Sequence, residues 1–270
     1  MIVVTGASGQ LGRLVISNLL KRVPAAEIAA MVRSPEKAAD LAALGVTVRR
    51  GDYTDPASLD AAFAGVEKLL LISSSEVGQR LPQHRNAIEA AKRAGAKLIA
   101  YTSLLHADAS PLGLGEEHRA TEALLAASGV PYVLLRNGWY TENYLASLPP
   151  AVQGGTLFGA AGEGRISSAP RADYAAAAAV ALTAPGHAGK VYELAGDDAY
   201  TLAELAAEAG RASGKAVAYK NLSEAEFRAA LEGVGLPGGL AALLADSDDG
   251  ASKGGLFDDS RTLSRLIGRP

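Results

Sequence analysis

Thr5-Gly6-Ala7-Ser8-Gly9-Gln10-Leu11-Gly12 sets three glycines three residues apart. The run follows an apolar stretch, Ile2 to Thr5, and precedes a stretch carrying Leu14, Val15, Leu19 and Val23 at helical spacing. Gly6 permits a tight turn off a strand, Gly9 lets the main chain approach a pyrophosphate, and Gly12 lets helix and strand pack closely. Main-chain N–H groups at the helix start, at the positive end of its dipole, then receive phosphates. In this strand-turn-helix setting the motif reads as a dinucleotide cradle, formed by Gly6, Ala7, Ser8, Gly9, Gln10 and Leu11.

The end of the second apolar run selects the nucleotide. A carboxylate about 20 residues past the glycines would bond a ribose hydroxyl, whereas a guanidinium there pairs with a 2′-phosphate. The residue is Arg33, with no acid in Ala29-Ala30-Met31-Val32 before it. NADP is therefore expected over NAD, the competing reading being a solvated surface arginine. Asp52 is placed either to meet an adenine edge or to form a turn. Ser73, Ser74 and Ser75 end a fourth strand, where their hydroxyls either line a nicotinamide cleft or merely terminate the strand. Arg136-Asn137-Gly138-Trp139-Tyr140-Thr141-Glu142-Asn143-Tyr144 gathers rings and amides in a chain with only 5% aromatics. That cluster is either a stacking site, with Asn143 donating to a carbonyl oxygen, or an aromatic hinge.

Some chemistry is missing. None of the nine tyrosines has Lys at the fourth position after it, so the Tyr/Lys pair that serves reversible alcohol chemistry is absent. The chain has no cysteine, which removes disulfides, thiolate metal sites and a Cys nucleophile. The four histidines form no ligand pair, and no metal is expected. His84 and His118 read as surface or capping residues, His187 as part of a turn, and His106 as the one near a cleft. Glu116 and Glu117 read as first-turn acids complementing a helix dipole. No residue is assigned as catalytic. A quinone needs little help, because hydride addition yields an aromatic hydroquinone anion whose proton comes from water, leaving the protein to place the partners.

The elements that must position these groups alternate between β-rich and Ala/Leu-rich runs. Strands are expected at Ile2 to Thr5, Ile28 to Val32, Val46 to Arg49, Lys68 to Ile72, Leu98 to Thr102 and Tyr132 to Leu135, apolar at nearly all inner positions. Asp55-Pro56 should cap a helix that ends at Gly65, while Gly45 and Gly95 should close the helices Ala38 to Leu44 and Ile88 to Ala94. The pattern predicts an α/β, Rossmann-type doubly wound parallel sheet. Residues 1–136 would form the nucleotide-binding part and 137–270 a small C-terminal α/β lobe within one structural unit. In that lobe we expect a helix over Ala172 to Leu182, a strand over Val191 to Leu194, helices from Thr201 and Ser223, and a mobile loop over Ser247 to Asp259.

Composition fits this picture: 270 residues, 49% hydrophobic, 20% charged, with 26 basic against 29 acidic residues. Without a basic run, nucleic acid is an unlikely partner. There is no signal peptide or membrane span in the pattern, so a cytoplasmic location is expected.

The chain resembles the NmrA-like atypical short-chain dehydrogenases, and within them the bacterial NADPH:quinone oxidoreductase and triphenylmethane reductase branch. Besides the glycine run, the resemblance is carried by Leu69-Leu70-Leu71-Ile72-Ser73-Ser74-Ser75-Glu76-Val77-Gly78-Gln79-Arg80, Tyr101-Thr102-Ser103-Leu104-Leu105-His106-Ala107-Asp108, Leu135-Arg136-Asn137-Gly138-Trp139-Tyr140 and Gly250-Ala251-Ser252-Lys253-Gly254-Gly255-Leu256-Phe257. It implies NADPH contacts at Gly6 to Leu11, Arg33, Ser73 to Ser75 and Asn137 to Glu142, and from Ser167, Arg171 and Asp173 in the second lobe. It implies an acceptor pocket at Ile72, Tyr140 and Asn143, and a longer tail than one ending at Pro270. The expected activity is hydride transfer from NADPH to a quinone or similar planar acceptor, by a monomer or homodimer. The alternatives are an NADP-binding redox sensor without turnover and a triphenylmethane-dye reductase.

Overall fold

The computed structural model describes residues 1–270. Its first half runs β1 (Ile2–Val4), α1 (Gln10–Leu19), β2 (Ile28–Val32), α2 (Ala39–Ala43), β3 (Thr47–Arg50), α3 (Pro56–Ala62), β4 (Lys68–Leu71), α4 (Arg80–Arg93), β5 (Leu98–Leu104), α5 (Gly115–Ser128) and β6 (Tyr132–Asn137). The second half runs α6 (Thr141–Leu145), α7 (Leu148–Gly154), β7 (Thr156–Gly159), α8 (Arg171–Thr183), β8 (Val191–Leu194), α9 (Leu202–Ser213), β9 (Ala218–Asn221), α10 (Glu224–Gly233), α11 (Gly238–Ser252) and α12 (Thr262–Ile267).

Seven parallel strands form the main sheet in the order β3-β2-β1-β4-β5-β6-β8. Strand alternation divides its side chains between two cores. Val4, Ala30 and Leu70 enter the one built with α1, α8 and α12, whereas Val3, Ala29, Met31, Leu69 and Leu71 enter the one built with α3, α4 and α5. Both faces are covered, as the apolar strands require. The edge strands are the exceptions: Thr47 to Arg50 of β3 and Val191 to Glu193 of β8 are half-buried or exposed. The winding reverses between β1 and β4, and their C-terminal ends open a crevice there.

Local signals hold where they rest on a specific cap. The Asp55 side chain accepts from Ser58 N at the start of α3, and capping boxes open α9 at Thr201 and α10 at Ser223. Past residue 137 the chain returns to the sheet, because β8 pairs with β6 and α8 packs along α1. A separate small core, including Trp139, Tyr144, Leu157, Ile166, Leu202 and Leu256, sits beyond the strand ends with the parallel pair β7 and β9.

One expectation is overturned. Ser247 to Ser252 lie in α11 rather than in a loop. Ser247 and Asp248 are buried, with Asp248 accepting from the Tyr144 hydroxyl at 2.9 Å and from Ala160 N at 2.9 Å. Polar composition hid an anchor between α11 and the lobe core. No helix is long and apolar enough to cross a membrane.

Candidate active site

The loop between β1 and α1 is built for close approach. Gly6 has φ of +57°, and a Cβ at Gly12 would lie 2.5 Å from Gly6 O. No side chain caps the first turn of α1, so its N–H groups face a cavity of roughly 560 Å³ lined by Gly6, Ser8, Gly9, Gln10 and Leu11. The same cavity reaches Arg33, Asp52 and Ser73 to Ser75. Arg33 is exposed and donates to Glu76 at 2.9 Å, across the mouth of the crevice. Asp52 Oδ1 accepts from Thr54 N and Oγ1, both at 2.8 Å. It is therefore a turn former that also borders the cavity. The Thr54 N–H bond, the largest influence, holds its carboxyl below the usual range.

A second cavity of roughly 550 Å³ adjoins the first, sharing Gln10, Ile72, Ser73, Ser74, Ser75, Tyr140 and Arg171 as walls. Asn137, Gly138, Trp139, Glu142 and Asn143 line it, as do Thr102, Ser103 and Arg80. Leu114, Leu240, Leu243 and Leu244 give it an apolar lining as well. The Tyr140 ring lies under the Arg171 guanidinium, 4.4 Å from Cζ to the ring centroid. Arg171 also donates to Asn143 Oδ1 at 2.8 Å, leaving the Asn143 amide N–H groups free to donate. Burial raises the Tyr140 pKa above the ordinary phenol value. Ser73 Oγ, Asn137 Oδ1 and Trp139 Nε1 are buried polar atoms with no protein partner, a set suited to a polar planar ligand.

Four of the expected contacts sit elsewhere. Ala7 is buried beneath the loop. Thr141 Oγ1 bonds Ser168 Oγ, Ser167 Oγ donates to Asp258 O at 2.8 Å, and Asp173 pairs with Arg269. None of the four lines either cavity. Trp139 belongs to the lobe core and also lines the second cavity.

The histidines are corrected. His84 and His118 are buried, not surface residues, and burial pulls both imidazoles down to about 3. His84 Nε2 accepts from Ser74 N at 3.0 Å and its Nδ1 donates to Thr121 Oγ1 at 2.9 Å, so it fixes the serine segment from behind. His106 lies outside both cavities, with Nε2 3.2 Å from Phe257 O and 3.4 Å from Asp258 Oδ2. Glu116 and Glu117 lie in the first turn of α5, as expected, and Glu117 also caps α4, accepting from Gly78 N and Arg80 N at 3.1 Å.

Sequence reading missed Ser34 and Lys37 beside Arg33, Tyr53 at the cavity floor, and Arg80. It also missed Leu240, Leu243 and Leu244. Their spacing along one helix face was a usable signal, masked by the glycines before and the Ser/Asp run after them.

A glycine cradle at the point where a parallel sheet reverses is a dinucleotide seat, and residues 6–185 match the NAD(P)H-binding family. The chain belongs to that family. Among its relatives, quinone oxidoreductase 2 of Escherichia coli (strain K12) is 68% identical, over 100% of this chain and 94% of that protein. The crystal structure of the NADPH-dependent quinone oxidoreductase of E. coli in complex with NADPH superposes with a TM-score of 0.98 at 68% identity, over 100% of this chain and 95% of the other. The Citrobacter sp. triphenylmethane reductase in complex with NADP(H) gives a TM-score of 0.96 at 42% identity, over 99% and 95% of the two chains. Family membership and the doubly wound fold are thus established on the same residues that form the cradle.

Proposed function

We propose that this protein is an NADPH-dependent oxidoreductase that transfers a hydride to a quinone. One observation carries the reading: the nucleotide cavity and an amphipathic second cavity share the wall Ile72 to Ser75 and Tyr140, so ligands in the two meet there. The full-length relationship to an NADPH-dependent quinone oxidoreductase supports it.

NADPH, once bound, supplies the hydride. The chain's own residues supply the seat. The uncapped amides of α1 and the bare faces of Gly6 and Gly9 fit a pyrophosphate, and Arg33 with Lys37 offers positive charge to a 2′-phosphate. Ser73 Oγ, Asn137 Oδ1 and Trp139 Nε1 fit the nicotinamide side. Tyr140, Asn143 and the α11 leucines would hold and dehydrate a planar acceptor at the shared wall. Lack of cysteine, together with helices too short or too polar to cross a bilayer, suits a place in the cytosol.

The test is NADPH oxidation followed through the nicotinamide absorbance, with and without para-benzoquinone. Acceptor-dependent loss of NADPH is expected. Saturable NADPH binding with no turnover on any quinone would favour the sensor reading.

A further inference from the structure

The fold contains two buried arginines that are treated very differently. Arg136 is 7% exposed and is saturated by Glu122 and Glu193, with Asp108 at 3.2 Å. Those partners raise its pKa, the Glu122 bond first. Arg80 is equally buried, at 9%, yet its guanidinium makes one bond, from Nε to Ser74 O at 2.7 Å. Its Nη1 is buried with no partner. The one carboxylate that raises its pKa, Glu117, accepts from the Arg80 main-chain N–H instead of from the side chain.

A buried cation without a counter-charge costs several kcal/mol unless something compensates it. Burial accordingly pulls the Arg80 guanidinium below its usual range, with Glu117 only partly opposing. Its charge also helps keep His84 and His118 neutral. Arg80 lines the second cavity together with Tyr140 and Thr102. A guanidinium held by Nε at the edge of a cavity, with one outer nitrogen unpartnered, is preorganised for an oxygen that gains negative charge.

We propose that Arg80 is a catalytic residue for the acceptor half of the reaction, donating to a quinone oxygen and taking up the negative charge that develops there. The idea rests on the quinone-reductase reading above. The balance is NADPH + quinone + H⁺ → NADP⁺ + hydroquinone. A C–H bond of the dihydronicotinamide breaks and its electron pair passes with the hydrogen to the quinone. The nucleotide is oxidised, the quinone is reduced to its oxyanion, and water supplies the last proton. Arg80 stays protonated throughout and serves as a fixed positive charge, a role that needs no Tyr/Lys pair.

The decisive measurement needs no turnover. NADP⁺-loaded protein is titrated with two planar probes of similar size, the enolate of hydroxynaphthoquinone and neutral methylnaphthoquinone, while tryptophan quenching is followed. Wild-type protein should prefer the enolate by about tenfold or more. Arg80→Met should abolish that preference while changing NADP⁺ affinity far less, through the lost bond to Ser74 O, and Arg80→Lys should restore part of the preference. In steady state, Arg80→Met should lower kcat for para-benzoquinone about 100-fold, with a smaller change in KM. No enolate preference in the wild type overturns the proposal, even if the Met variant fails to fold. Loss of NADP⁺ affinity with the probe preference intact overturns it too, since Arg80 would then serve the nucleotide. Absence of quinone turnover in the wild type, with the enolate preference present, would instead remove the activity and leave Arg80 as an anion site.

Discussion

Arg33 and Glu76 face each other over the nucleotide cavity, and their pairing defines what the phosphate must displace. An exposed pair in water contributes little by itself. A 2′-phosphate brings two negative charges and three acceptor oxygens to the same guanidinium, with Lys37 close by on the cavity wall. Arg33→Ala should therefore weaken NADPH binding about tenfold and leave NADH nearly unchanged, as read by fluorescence titration of each nucleotide. Equal weakening of both would assign Arg33 to the adenosine or the loop rather than to the phosphate. Gly12 works at the same scale through absence of atoms: even the methyl of alanine would meet Gly6 O at 2.5 Å.

At the scale of elements, the serine segment after β4 is clamped from three sides. His84 of α4 holds Ser74 N, Arg80 of α4 holds Ser74 O, and Glu117 of α5 holds the N-terminus of α4 itself. Glu117→Gln would keep the shape but remove the charge that complements the α4 dipole. A loss of about 1 kcal/mol is expected, read as a fall of about 2–4 °C in Tm. An unchanged Tm would show that main-chain geometry alone keeps α4 in place. This clamp also shows where sequence reading stops. That the β1 to α1 loop, Arg33 and Ser73 to Ser75 border one cavity was legible because turn chemistry and strand order are local. So were Asp55, Thr201 and Ser223, since a cap acts within its own first turn. Glu117 is local to the first turn of α5, but it also serves a helix whose Arg80 lies 37 residues away, a partnership set by packing. His84, Arg80 and Asp248 carry polar side chains into buried positions for the same reason, and no spacing rule marks them. The α11 leucines were readable in principle, yet polar composition outweighed periodicity.

For the molecule as a whole, three buried titratable groups shape its response to acid. His84 and His118 titrate near 3 in the fold against 6.5 ordinarily. Their contribution is complete above about 6.5 and is lost as pH falls from there towards 3. Asp248, raised by burial to about 6 from 3.8, runs the other way. Its contribution is complete below 3.8 and is lost as pH rises through about 6. Between these limits unfolding binds a proton at each histidine and releases one at Asp248, a net uptake of one. Stability should then fall by about 1.4 kcal/mol per pH unit of acidification. Urea unfolding at about pH 6 and about pH 5 measures it, and Asp248→Asn should roughly double the slope. A flat profile would mean that these histidines are protonated in the native state.

The two halves of the cleft come from opposite ends of the chain: the nucleotide's bed from the first strands and their loops, the greasy wall across from it from α11. Selection can thus reshape the α11 side without touching the glycine loop. A duplicated copy could take up a bulkier or differently charged electron acceptor through changes on one turn of one late helix, and inherit its reductant intact.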